Sequence, residues 1–124
     1  MTTITKIGQI AIPAKDIERA TAFYKDQLGL QLLFTTETMA FFDCDGVRLF
    51  VSLPETEEFA HPSSVLYFHV EDIEQAYKEY KEKGIGFIDE PHLIAKIGQT
   101  ETWMAFFKDT EDNTHALMSE VVVG

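Results

Sequence analysis

Asp16-Ile17-Glu18-Arg19-Ala20, followed by Tyr24-Lys25, returns 56 residues later as Asp72-Ile73-Glu74-Gln75-Ala76 and Tyr80-Lys81. Ala40-Phe41-Phe42 returns as Ala105-Phe106-Phe107, 65 residues on. Two such halves fill a chain of 124 residues, so one structural unit is built twice. A solenoid would need three or more repeats to bury a continuous core. The duplication also names, for each position in one half, a counterpart in the other.

Each repeated motif predicts a helix with a strand before it and three strands after it. Lys6 to Pro13 alternates, with Ile10 and Ile12 on one side and Gln9 and Ala11 on the other, the period of a half-buried strand. Asp16 is placed to cap a helix starting at Ile17. Ile17, Ala20, Tyr24 and Leu28 make its apolar stripe, and Gly29 ends it. Leu30 to Thr35, Met39 to Asp43 and Val47 to Leu53 read as strands, the last two joined through the Asp45-Gly46 turn signal.

In the second half, Val65 to Val70 puts Leu66, Phe68 and Val70 toward a helix and Val65, Tyr67 and His69 on the opposite face. Asp72 and Gln75 have the spacing of a capping box, Ile73, Ala76, Tyr77 and Tyr80 form the stripe, and Gly84 closes it. Strands are expected near Gly86 to Asp89, Thr100 to Phe107 and Thr114 to Val122, with His115 on the outer, solvent side of the last. Leu53 to Ser64, with Pro54 and Pro62, reads as a linker. The expectation is a single domain over residues 1–124, made of repeats 6–53 and 64–122.

Composition narrows the function. The net charge of −11 argues against nucleic acid, whose phosphates need clustered Lys and Arg. No apolar run reaches membrane-spanning length, so no membrane partner is expected. A single cysteine and the lack of a secretory leader pattern point to a reducing cytoplasm.

The two βαβββ units, with Ala22-Phe23-Tyr24-Lys25-Asp26-Gln27-Leu28-Gly29-Leu30 closing the first helix and Ala105-Phe106-Phe107-Lys108-Asp109 entering the last hairpin, resemble the vicinal oxygen chelate superfamily. That group holds glyoxalases, bleomycin resistance proteins and extradiol dioxygenases. Glu90-Pro91-His92-Leu93-Ile94-Ala95-Lys96 is similar to an uncharacterised bacterial branch of it. The resemblance implies an α+β fold, two tandem βαβββ units forming an open, curved, eight-stranded barrel-like sheet with the helices outside. Where that branch reads Asp-Pro-Asp-Gly-Asn, this chain has Asp109-Thr110-Glu111-Asp112-Asn113, so a looser turn is expected.

The resemblance also supplies a metal test. Its metal-dependent members ligate one divalent ion with four side chains, and those positions fall on Gln9, Phe50, Val65 and Ala116. Only Gln9 has a lone pair to offer, and one neutral amide does not hold a transition metal against water. No metal and no other cofactor is therefore expected, and no catalytic residue is assigned.

By alternation, the sheet face away from the helices carries Gln9, Phe50, Tyr67, His69, Met118 and Glu120. His92 and Trp103 complete the set of candidate ligand-binding residues. Aromatic and apolar groups with a few polar tips suit a small organic molecule, cationic or aromatic. His69 and His92 are the acid/base candidates. Cys44 lies between Asp43 and Asp45, which oppose thiolate formation. The expected function is metal-independent binding of a small molecule, in a homodimer. The alternatives are a metal-dependent lyase or dioxygenase of the glyoxalase class, and a scaffold with a filled cavity.

Overall fold

The alternating stretch ahead of the first helix forms β1 (Gln9–Pro13) in the computed structural model, which describes residues 2–55, 57 and 60–123. Part of the expected linker lies outside these residues. Asp16 caps α1 (Ile17–Ala22), its Oδ1 accepting the Arg19 N–H at 3.0 Å and satisfying one donor that a helix start leaves open. The helix continues through one wider turn, Phe23–Gln27, in which the Leu28 N–H donates to Phe23 O, five residues back. This π turn was not expected. It brings two consecutive rings, Phe23 and Tyr24, into the core beside Ile17, Ala20 and Leu28.

Three strands follow, β2 (Gln31–Thr35), β3 (Met39–Cys44) and β4 (Val47–Ser52). Asp45 and Gly46 join β3 to β4 with φ of 47° and 91°, positive at both central positions as a tight two-residue hairpin requires. The strand order is β1-β4-β3-β2, with β1 parallel to β4 and the other pairs antiparallel. One face of this sheet buries Ile12, Ala40, Phe42, Leu49 and Val51 under the helix, where Tyr24 meets Phe42 at 5.7 Å.

The second unit, divided from the first between Ser63 and Ser64, begins with β5 (Leu66–His69) and α2 (Ile73–Glu82). Asp72 Oδ1 accepts the Gln75 N–H at 3.1 Å, while the Gln75 amide reaches along the helix to Glu79. Then come β6 (Gly86–Phe87), β7 (His92–Ile97), β8 (Thr100–Lys108) and β9 (Thr114–Val122). The order is β5-β9-β8, with β6 and β7 both paired to β8. The described residues thus hold nine strands in two mixed α+β sheets, neither closed into a barrel, where eight were expected.

The additional strand has a physical origin. Glu90-Pro91 interrupts the edge beside β8, and Pro lacks the N–H that would continue a ladder. At the break, Asp89 Oδ1 accepts the Phe106 N–H at 2.8 Å in place of a strand carbonyl. The edge resumes at His92 as β7 and turns through Gly98, whose φ is 62°.

Two further expectations are corrected. His115 is not on a solvent side: it is fully buried, its ring 5.6 Å from Phe68 and 5.8 Å from Phe107. The face of β9 that carries it lies under α2 and the loop that follows β8. That loop, Asp109 to Asn113, is tight despite its missing Pro and Gly. Asp112 takes the left-handed φ of 71° that Gly would otherwise supply, and the Asp109 N–H donates to Asn113 O at 2.9 Å.

Candidate functional site

Strand parity gives each unit a second sheet face, opposite its helix. In the first unit it carries Gln9, Phe41, Arg48 and Phe50, fixed by the pairings Gln9↔Arg48, Ala11↔Phe50 and Phe41↔Phe50. Phe41 and Phe50 stack with centroids 4.8 Å apart and planes 14° from parallel. The Arg48 Nε–H donates to Gln9 Oε1 at 2.9 Å, and its guanidinium carbon lies 5.4 Å from the centre of the Phe41 ring.

In the second unit the same face carries Tyr67, His69, His92, Met104, Phe106, Met118 and Glu120. Tyr67 pairs with Ala116 and Ala116 with Phe106, so one small residue on β9 separates two rings. These meet edge to face over it, with centroids 6.2 Å apart and planes at 78°. His92 flanks Phe106 on the other side at 6.4 Å. His92 Nδ1 lies 2.8 Å from Glu90 O. A carbonyl only accepts, so Nδ1 carries a proton, and in the neutral form of the ring Nε2 is the nitrogen with the lone pair. Asp89 Oδ2, 3.9 Å from Nδ1, reinforces that tautomer.

The sequence-predicted residues sort clearly by face. Tyr67, His69, His92, Met118 and Glu120 share one face of the second sheet, with Met118 opposite His69 and Glu120 opposite Thr102. Trp103 does not join them. It pairs with Ser119 on the alternate face and donates its Nε1–H to Glu101 at 3.2 Å. Phe41 and Phe106 belong to the two aromatic faces and were missed, although each is the central residue of the repeated Ala-Phe-Phe. An open groove along α1, lined by Asp16, Glu18, Thr21, Asp26 and Glu37 among others, includes none of the predicted residues.

The four positions that would hold a divalent metal do not fit one. The Gln9 amide oxygen is engaged by Arg48, Phe50 is stacked on Phe41, and Ala116 is sealed beneath Tyr67 and Phe106. Val65 is exposed and offers no lone pair. One ring pair includes Phe50 itself, and a second covers Ala116. Among the described residues, no three His, Cys, Asp or Glu side chains come together in a way that could hold a metal ion.

Two other groups have strongly conditioned chemistry. Burial, then the charges of Asp43 and Asp45, push the Cys44 thiol up and keep it protonated. Burial pushes the His115 imidazole down to about 4, against the pull of Asp109, whose Oδ2 is 3.9 Å from Nε2.

Comparison with known proteins identifies the family and supports the fold. The family model described as Glyoxalase/Bleomycin resistance protein/Dioxygenase superfamily matches residues 6–117. An uncharacterised protein of Bacillus subtilis, YraH, is 28% identical, covering 87% of this chain and 93% of its own. A crystal structure of a member of the same superfamily from Sphaerobacter thermophilus superposes with a TM-score of 0.77 at 21% identity, over 94% of this chain and 98% of that one. A lactoylglutathione lyase of Agrobacterium tumefaciens gives 0.72 at 17% identity, over 95% and 96% of the two chains. At these identities the two structures speak for the fold alone.

Proposed function

Because the chain belongs to the Glyoxalase/Bleomycin resistance protein/Dioxygenase superfamily, we propose that it acts as one functional domain, in a reducing cytoplasm, and binds a small flat organic molecule without a metal. The observation that carries this reading is the aromatic face Tyr67, Phe106 and His92. Tyr67 is 48% exposed rather than packed as core, so its ring is available for stacking. His92 Nε2 beside it accepts a hydrogen bond from a ligand N–H or O–H, while Glu120 and His69 supply polar groups on the same face. Phe50 and Ala116, which offer no lone pair at two of the positions where metal-dependent members hold their ion, support this reading over a metal-dependent lyase or dioxygenase.

The test is a thermal-shift panel of heteroaromatic cations and their neutral analogues, run with and without a chelator. A binder is expected to raise the melting temperature with concentration, equally in both conditions. Tyr67→Ala should weaken it by about 1–3 kcal/mol. Stabilisation that requires added nickel, zinc, iron or manganese would favour the lyase or dioxygenase reading, and a panel without any binder would favour a scaffold.

A second copy of the chain is the proposed partner. β7, paired among the described residues only to β8, carries Leu93, Ile94 and Ile97, all exposed, and an apolar edge strand needs cover. Sedimentation at micromolar concentration is expected to give a dimer, and a monomer there would remove this part of the reading.

A further inference from the structure

We infer that the open face of the first unit is an anion subsite that takes a carboxylate attached to a flat aromatic ring. Four residues build it. Phe50 and Phe41 stack on each other as an aromatic platform, and Arg48 lies over the Phe41 ring, its Nε–H committed to Gln9 Oε1. Gln9 therefore acts as a brace rather than a ligand: it fixes the rotation of the guanidinium plane. The two terminal amino groups remain as a parallel pair of donors, the geometry that matches the two oxygens of one carboxylate. A cation held over a ring is also less hydrated than one in free solution, which favours pairing with an anion.

Its neighbours have other partners. Asp43, opposite Arg48 on β3, accepts the Gly46 N–H through Oδ1 at 3.2 Å, and Lys6 donates to Gly46 O at 2.9 Å. The net charge of −11 repels a bare anion at a distance. Arg48 is thus a weak site for acetate and a selective one for a ligand that also stacks. Phe34, 6.2 Å from Phe41 and largely exposed, extends the platform toward the sheet edge.

This inference does not rest on the proposed role of Tyr67, because all its residues lie in the first unit. The test is titration of the full chain with benzoate, benzamide, acetate and benzylammonium, followed by amide NMR shifts. Benzoate is expected to shift β1, β3 and β4 amides, with benzamide and acetate at least about fivefold weaker and benzylammonium silent there. Arg48→Lys, which keeps the charge and removes the fork, should lose at least about fivefold in benzoate affinity, and Gln9→Ala should lose a smaller factor. Any shifts on β5, β8 and β9 report separately on the other face. The subsite is overturned if benzoate leaves β1, β3 and β4 unshifted at millimolar concentration, if benzamide binds as well as benzoate, or if Arg48→Lys binds unchanged.

Discussion

Asp109→Ala is expected to destabilise the protein by about 3–5 kcal/mol, because it takes a charged acceptor away from buried donors. Asp109 is 7% exposed. Its Oδ1 accepts the N–H groups of Glu111 and Asn113, each at 2.8 Å, and its Oδ2 accepts the Asn113 side-chain amide at 2.8 Å. Those bonds hold the loop between β8 and β9 in the shape that Pro and Gly would otherwise favour, and Asp112 pays for that shape with a left-handed backbone. Removing the carboxylate frees the loop and opens the polar end of the core beside His115. Asp109→Asn keeps one acceptor oxygen and loses the charge, so its cost should be smaller, about 1–2 kcal/mol. Urea denaturation of the three proteins at pH 7 checks both values. A cost below about 1 kcal/mol for Asp109→Ala would mean that the turn closes without this carboxylate.

That loop also shows where the sequence stops being legible. Alternation places Gln9 and Phe50 on one face of the first sheet, and Tyr67, His69, Met118 and Glu120 on one face of the second, because side chains on a strand keep a period of two. The helix starts are legible for an equally local reason, an aspartate three residues before the N–H that it caps. Trp103 misled because the strand around it is apolar on both faces, and only its pairing with Ser119 decides its direction.

The strand β7 was hidden by a compensation that no local pattern reveals, the Asp89 carboxylate standing in for a strand carbonyl across the Glu90-Pro91 break. His115 misled for a similar reason. A polar residue in an alternating strand reads as solvent-facing, and its burial depends on a tertiary cluster with Asp109, Phe68 and Phe107. The two aromatic faces were half legible. The repeated Ala-Phe-Phe announced a common role for Phe41 and Phe106, yet what they do depends on which residue lies across the ladder. For Phe41 that is Phe50; for Phe106 it is Ala116, with Tyr67 beyond.

The buried imidazole of His115 makes stability depend on pH in a window of its own. In the unfolded chain the ring takes up a proton as the pH falls through about 6.5, its ordinary value, whereas in the folded protein burial holds it down to about 4. Between these values the unfolded state binds the extra proton, so stability is complete above 6.5 and is lost progressively as the pH falls toward 4. Below 4 both states are protonated and the contribution levels off. The loss across the window is on the order of 3 kcal/mol. Asp109 opposes it, since its charge at 3.9 Å favours the imidazolium. His115→Gln has no proton to take up. It starts from a lower stability at pH 7, but its curve should fall less steeply between pH 6.5 and 4, so that the gap to the unaltered protein narrows. Asp109→Asn should act in the opposite sense: without the opposing charge the ring is held down further and the window extends to lower pH. Denaturation at half-unit intervals of pH, compared as slopes rather than absolute values, separates His115 from the many surface carboxylates common to all three proteins. Parallel curves for the unaltered protein and His115→Gln would show that His115 does not titrate differently on folding.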